Sequence, residues 1–386
     1  MCSKYEQVRL MRSFAAAVIF FFFQAAIADT LVGVSAYEHG DYQTALKELQ
    51  EPANSGDEVA MYMLGRMYQY GRGVDKNLTT AKEWFEKSAN KNYGRAQLSL
   101  GFLYDTGQGV DKNFKTAASW YMKAAKEGNP VAQRNIGLMY NLGDGLPKDY
   151  SKAARWFLKS AEQGYAKAQT NIAYCYVVGR GVKKNYKEAA YWYRKAAIQG
   201  NVKAQYSMGL LYRTGRGVEK NMQDAVKWFM LAARRGHMKA QAYLAYHLSL
   251  GDGVKVNHAA AAKWYRASAD QGYAYAQKNL GLKYFTGQGI GKNYEQAAHW
   301  LTKAAKQGNA TAQGKLGYLY TVGLGVNKNL MQAYAWLLLA SERGYKQAKK
   351  DLRRLTNKLN KSQLIEAKEL AKQYRAEYYQ KHKKNK

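Results

Sequence analysis

Several stretches of this sequence carry residue types able to do chemistry. GRGVDKN, residues 71–77, sets two glycines and a lysine just ahead of a helix start, where free backbone N–H groups could cradle a phosphate. The Walker spacing GxxxxGK[ST] is missing, and the stretch returns as GQGVDKN at 107, GDGLPKD at 143, GRGVKKN at 179, GRGVEKN at 215, GDGVKVN at 251, GQGIGKN at 287 and GLGVNKN at 323. A nucleotide loop has no reason to recur in this way, so the stretch reads as a turn. The six histidines, at 39, 237, 247, 258, 299 and 382, show no HExxH or other ligand spacing, and His247 reads as a packed residue. Ser88-Ala89-Asn90-Lys91 matches SxxK without the SDN and KTG that accompany it in acyl-transfer enzymes, and Ser88 stands where most other repeats carry Ala, such as Ala124. Cys175 takes a place held by Leu103, Met139 and Leu211 in other repeats, which marks a buried apolar role. No catalytic residue, metal or cofactor is assigned, and the chain reads as a non-enzyme.

What remains is a ruler. Every step between the loops is 36 residues, and Trp84, Trp120, Trp156, Trp192, Trp228, Trp264, Trp300 and Trp336 keep the same beat. Each unit reads as two helices. In the first, Ala96, Gln97, Leu100, Gly101 and Tyr104 have helical spacing, and Gly101 removes a side chain where another helix must come close. The second begins at Asn77, Asn113, Asp149, Asn185, Asn221, Asn257, Asn293 or Asn329, each an N-cap; Asn185 with Glu188 and Asn293 with Gln296 have capping-box spacing. A glycine closes the unit from Gly128 to Gly344, with Asn92 in that role in the first unit. The tryptophans, each between small residues such as Ala81 and Ser88, read as inter-helix knobs and not as a sugar-stacking track. Lysines in seven of the eight loops read as a solvated edge stripe.

The first residues read as an address. Lys4, Arg9 and Arg12 precede an apolar run from Phe14 to Phe23, and Ala26-Ile27-Ala28 has the pattern of a signal-peptidase site, so export with a mature start at Asp29 is expected, whether translation begins at Met1 or Met11. The apolar run is shorter than a membrane span needs. Cleavage removes Cys2 and leaves Cys175 without a partner, so packing and not disulfides must hold the fold. The formal charge of +32 favours encounter with anions.

The consensus is carried best by VKAQYSMGLLYRTGRGV at 202–218 and AVKWFMLAARRG at 225–236. It resembles the Sel-one-like repeat (SLR) family, 36-residue relatives of tetratricopeptide repeats. The resemblance implies an all-α fold, an alpha-alpha superhelix or solenoid of eight helix-turn-helix repeats with capping helices at both ends, in which each unit buries its apolar face against its neighbours. It also implies an adaptor or scaffold role, with envelope, polysaccharide or host-contact functions among exported bacterial members. The expected organisation is a signal peptide at 1–28, a tetratricopeptide-like cap at 29–56, repeats at 57–344, and C-terminal capping helices with a basic tail at 345–386. Arg353 and Thr356 stand where a ninth unit would need Gly and Tyr, and a closing helix from Ser362 to about Tyr379 is expected, capped by Ser362; KHKKNK reads as a disordered end.

In tetratricopeptide solenoids the first helices line a concave groove. Matching Leu100, Gly101 and Tyr104 to that family's Leu, Gly and Tyr gives the groove-facing places: those of Arg95, Leu98, Phe102, Asp105 and Thr106, repeated every 36 residues. They hold Arg66, Arg95, Arg134, Lys167, Lys203, Arg213, Lys239 and Lys278 against a single acid, Asp105. Tyr62, Phe102, Tyr174, Tyr206, Tyr246, Tyr275, Phe285 and Tyr318 are interleaved. Such a trough suits an extended acidic protein segment, with an anionic envelope glycan as the alternative ligand. The plainer reading is a solvated face on a chain that is basic throughout. RNA is the remaining alternative for a basic helical repeat, and the export signal argues against it.

Overall fold

A computed structural model describes residues 29–380, and the described residues form helices without a strand. The expected signal segment at 1–28 and the tail at 381–386 lie outside the described residues. The chain divides between Asn185 and Tyr186 into two compact units.

The N-terminal unit holds α1 (29–38), α2 (Tyr42–Asn54), α3 (Glu58–Tyr70), α4 (Leu78–Asn90), α5 (Gly94–Thr106), α6 (Phe114–Lys126), α7 (Pro130–Leu142), α8 (Tyr150–Glu162) and α9 (Ala166–Val178). The C-terminal unit holds α10 (Tyr186–Ile198), α11 (Val202–Thr214), α12 (Met222–Arg234), α13 (Met238–Leu250), α14 (His258–Asp270), α15 (Ala274–Thr286), α16 (Tyr294–Lys306), α17 (Ala310–Val322) and α18 (Leu330–Glu342). It ends in α19 (Lys346–Thr356), α20 (Lys361–Arg375) and a π-helical turn, Ala376–Gln380. From α2 to α9 and from α10 to α19 each helix packs on its neighbour in sequence, the arrangement of an α-solenoid.

Local chemistry explains why the chain breaks where it does. Asn77, Asn113, Asp149, Asn221, Asn257, Asn293 and Asn329 each accept a first-turn N–H through the side chain, a cap worth about 1 kcal/mol. In the first loop Gly71 ends α3 at φ +67°, and the Asn77 N–H returns to the Tyr68 carbonyl at 2.9 Å. The second glycine has a different task. A Cβ on Gly73 would stand 2.7 Å from the Tyr42 carbonyl oxygen, so this residue lets the loop lie on the start of the preceding hairpin's second helix. Asn92, at φ +65°, is the non-glycine with positive φ among the described residues.

The inter-helix knob differs from the expected one. It is the residue after each tryptophan: Phe85, Tyr121, Phe157, Tyr193, Phe229, Tyr265, Leu301 and Leu337 are all buried. A Cβ on Gly137 would come within 2.6 Å of the Phe157 ring, so the first-helix glycine is the socket for that neighbour. Trp192, Trp300 and Trp336 are buried, whereas the other five tryptophans are half-buried. Their positions put the indole at the flank of the knob, and a lysine three residues on covers it in five repeats, as Lys87 does Trp84 at 4.2 Å and Lys123 does Trp120 at 4.1 Å.

Buried glutamines tie one repeat to the next. Gln133, Gln169, Gln205, Gln241, Gln277 and Gln313 each donate to the carbonyl eight residues back, at the end of the preceding helix, at 3.1–3.2 Å. The closing helix also differs from expectation: its cap is Asn360, with Gln363 completing a capping box, because the helix starts at Lys361 and leaves Ser362 inside its first turn. Tyr374 of that helix stacks on Trp336 at 4.6 Å between ring centres, and the Tyr379 hydroxyl donates to the Ala305 carbonyl at 2.6 Å.

Candidate partner-binding face

The residues outside the core stripe of the first helices form one face in each unit. In the N-terminal unit Arg95, Phe102, Lys167 and Tyr174 are exposed, while Arg66 and Arg134 are half-buried. Arg134 reaches from α7 to α9, its Nε donating to Asn171 Oδ1 at 3.3 Å. In the C-terminal unit Lys203, Lys239 and Tyr318 are exposed, and Tyr206, Arg213, Tyr246 and Lys278 are half-buried. Neighbouring first helices touch through these side chains: Arg213 lies 4.7 Å from the Tyr243 ring centre, and Phe285 meets Tyr318 edge-on at 6.1 Å.

Not every expected member is available to a ligand. Tyr62 is buried against Phe85 of α4 and Tyr93 ahead of α5 and belongs to the core. Lys278 donates to Asn279 Oδ1 at 2.8 Å over the Tyr275 ring, and burial holds its ammonium below the usual lysine range. Asp105, the acid on the face, accepts from the Tyr121 hydroxyl at 3.4 Å. Burial, then the Asp105 charge, pushes that hydroxyl far above the usual tyrosine range. The N-terminal unit thus keeps Arg95 and Lys167 as exposed cations beside the open rings of Phe102 and Tyr174, and the C-terminal unit keeps Lys203 and Lys239 as exposed cations with Tyr318 as an open ring.

The sequence reading missed residues whose partners lie one repeat away. Arg72 stacks over Tyr42 at 5.5 Å, Arg180 over Tyr150 at 4.9 Å and Arg216 over Tyr186 at 5.4 Å. The signal was present: each GRG loop follows a tyrosine 30 residues earlier. Lys315, which reaches over Phe285 at 5.5 Å, lies one residue aside from the repeat place of Leu98, so helical phase does not single it out.

The candidate chemical groups are used in packing. Ser88 Oγ donates to the Glu58 carbonyl at 2.7 Å, and Ser160 and Ser268 make the same bond to Pro130 and Met238. Cys175 is buried, which pushes its thiol up to about 11. His237 caps α13 through Nδ1 and stacks on Tyr206, while His247 is fully buried. Among the described residues no group of three or more His, Cys, Asp or Glu could hold a metal ion, and no helix is long and apolar enough to cross a membrane.

Paired helices stacked in file, with a socket glycine in the first and a capped start to the second, define a helical-repeat scaffold of the tetratricopeptide-like class. A family model for the Sel1 repeat matches eight successive segments: 59–93, 94–129, 130–165, 166–201, 202–237, 239–273, 274–309 and 310–345. The chain belongs to the Sel1 repeat family. Among solved structures it is similar to a Sel1 repeat protein from Oxalobacter formigenes, with 34% identity over 80% of this chain and 90% of that one and a TM-score of 0.60. It is also similar to c5321, a protective antigen present in uropathogenic Escherichia coli strains that displays an SLR fold, with 29% identity over 94% of this chain and 95% of that one and a TM-score of 0.52. No curated protein matched the chain. Sel1 repeats generally mediate protein interactions, and the family is a scaffold fold that is generally non-enzymatic.

Proposed function

We propose that this chain is an exported, periplasmic or secreted scaffold that holds an acidic, extended segment of a protein partner on its first-helix face. The observation that carries the reading is the charge of these helix faces: among the described residues their exposed cations form no ion pair with a carboxylate, and the acid Asp105 is engaged by Tyr121. Phe102, Tyr174 and Tyr318 supply flat apolar contacts beside them, and charge-assisted bonds with ring packing suit an extended acidic strand. Changing Arg134, Lys167, Lys203 and Lys239 to Glu together is expected to abolish capture of the partner from envelope extract while leaving the helical circular dichroism signal unchanged. Undiminished capture by the reversed protein would refute the assignment.

Export rests on the N-terminal residue pattern, and the description of the Escherichia coli relative as a protective antigen supports exposure to a host. Sequencing the N-terminus of protein recovered from the envelope or medium is expected to begin at Asp29; full-length protein confined to the cytosol would overturn this part.

A second reading, an anionic envelope glycan, is favoured by the half-buried indoles of Trp84, Trp120 and Trp156, each beneath a lysine ammonium. Indoles stack on sugar rings and ammonium groups pair with acids. Capture followed by elution at high salt separates the two: a protein-free, glycan-rich eluate supports the second.

A further inference from the structure

The geometry points to an oxyanion site made by Arg66 and Arg72, which takes a doubly charged tetrahedral group: free phosphate or the phosphate of a monoester. The Arg66 guanidinium carbon lies 5.4 Å from the Tyr37 ring centre, 5.9 Å from Tyr62 and 5.8 Å from Tyr70. Arg72, from the adjoining loop, lies 5.2 Å from Tyr37, 5.5 Å from Tyr42 and 5.4 Å from Tyr70. Two guanidiniums therefore share two tyrosine rings. Neither forms an ion pair with a carboxylate among the described residues. Asp41, next to Tyr42 in the chain, is committed to capping α2 through the Thr44 N–H.

A guanidinium held against aromatic rings by cation–π attraction does not spend its N–H donors on that contact. Arg72 uses one of these on the Tyr37 hydroxyl at 2.8 Å. The remaining donors of two positioned forks match the several oxygens of a tetrahedral anion, and the ring contacts reduce the cost of ordering them. Two cations set against the same two rings repel, and a dianion offsets both where a carboxylate would offset one. Tyr70, shared by the two arginines and 55% exposed, leaves the site open to solvent.

The other two GRG loops supply internal controls. Arg180 and Arg216 stack on Tyr150 and Tyr186 as Arg72 does on Tyr42. The places that correspond to Arg66 in those repeats hold Tyr174 and Leu210, so each loop arginine there is alone. A single stacked arginine is the packing device of the loop; the pair is peculiar to the first repeat. The site does not depend on the scaffold reading, since Arg72 lies outside the proposed partner set and Lys167, Lys203 and Lys239 are absent from the pair.

The test is calorimetric titration of the full chain with inorganic phosphate, glycerol phosphate and acetate in chloride buffer. Saturable phosphate binding is expected, tightening from about pH 6 to about pH 8 as the anion gains its second charge. Arg66→Gln and Arg72→Gln are each expected to weaken it about tenfold or more, and acetate to bind more weakly by a similar factor. Arg180→Gln, Arg216→Gln and Lys167→Gln should leave it unchanged. Arg72→Lys keeps the charge and loses the fork, so it should also weaken binding, and it covers the case in which the glutamine protein loses its helical signal. Glycerol phosphate binding more tightly than phosphate would make a monoester the source, and the reverse would make it the free ion. Absence of saturable binding, acetate binding as well as phosphate, or an equal loss on changing Arg180 would overturn the assignment.

Discussion

Alanine at Gly181 is expected to destabilise the N-terminal unit by about 3 kcal/mol or more, whereas alanine at Gly164 costs about 1 kcal/mol. Both glycines have positive φ, +72° and +91° respectively, so both replacements strain the backbone to a similar degree. They differ in their surroundings. A Cβ at Gly164 meets nothing within 4 Å, because this glycine ends a helix at an open turn. At Gly181 the added carbon is driven into the Tyr150 carbonyl, backbone that belongs to the capped start of α8 and cannot swing aside. Relief requires the loop to lift from the preceding repeat. In a solenoid that seam is shared by neighbours only, so its loss is not made up elsewhere. Urea unfolding of the two variants, followed by tryptophan fluorescence, distinguishes strain from contact; equal midpoints would show that the second glycine has no role at the seam.

The contrast between those glycines also marks how far the sequence could be read. Repeat length, helix pairs, capping residues and turn glycines were legible because each answers a demand of the backbone itself, and that demand recurs every 36 residues. The knob was misread at Trp84 and its equivalents because tryptophan is invariant in identity there. The actual knob varies among Phe, Tyr and Leu, as at Phe85, Tyr121 and Leu301, and keeps only its bulk and burial. Gln133 stood in the pattern, yet its bond to the Ala125 carbonyl depends on how the next helix folds back. Exposure was legible by helical phase at Lys167, Lys203 and Tyr318. Tyr62 failed there because phase within one helix says nothing about Phe85 and Tyr93, whose rings close over it. The Arg72–Tyr42 contact needed the rise from one repeat to the next, which no single unit contains.

Replacing Lys283 by Met is expected to raise the stability of the C-terminal unit by about 2–4 kcal/mol at neutral pH. Lys283 is 5% exposed, its Nζ has no hydrogen-bond partner, and its place is filled by Leu103, Met139, Leu211 and Leu319 in other repeats. Burial depresses its folded pKa below the ordinary 10.5, so the unfolded chain holds the proton more tightly. Wild-type stability therefore gains as pH rises from the folded pKa toward 10.5, and the advantage of the Met variant should shrink across that window. His247, one repeat earlier and fully buried, supplies the acid-side counterpart. Burial lowers its pKa below 6.5 more than its contact with Asp252 raises it, and its Nε2 lacks a partner. Below about pH 6.5 the unfolded chain takes up a proton that the folded one resists, so stability falls as pH drops through the window beneath that value. His247→Leu should flatten this slope in part, since His237 and His299 are shifted the same way and continue to contribute. Chemical denaturation at a series of pH values measures both effects. An acid slope untouched by His247→Leu would assign the uptake to His237 or His299, and a Lys283→Met protein no more stable than wild type would mean that the ammonium finds water despite its burial.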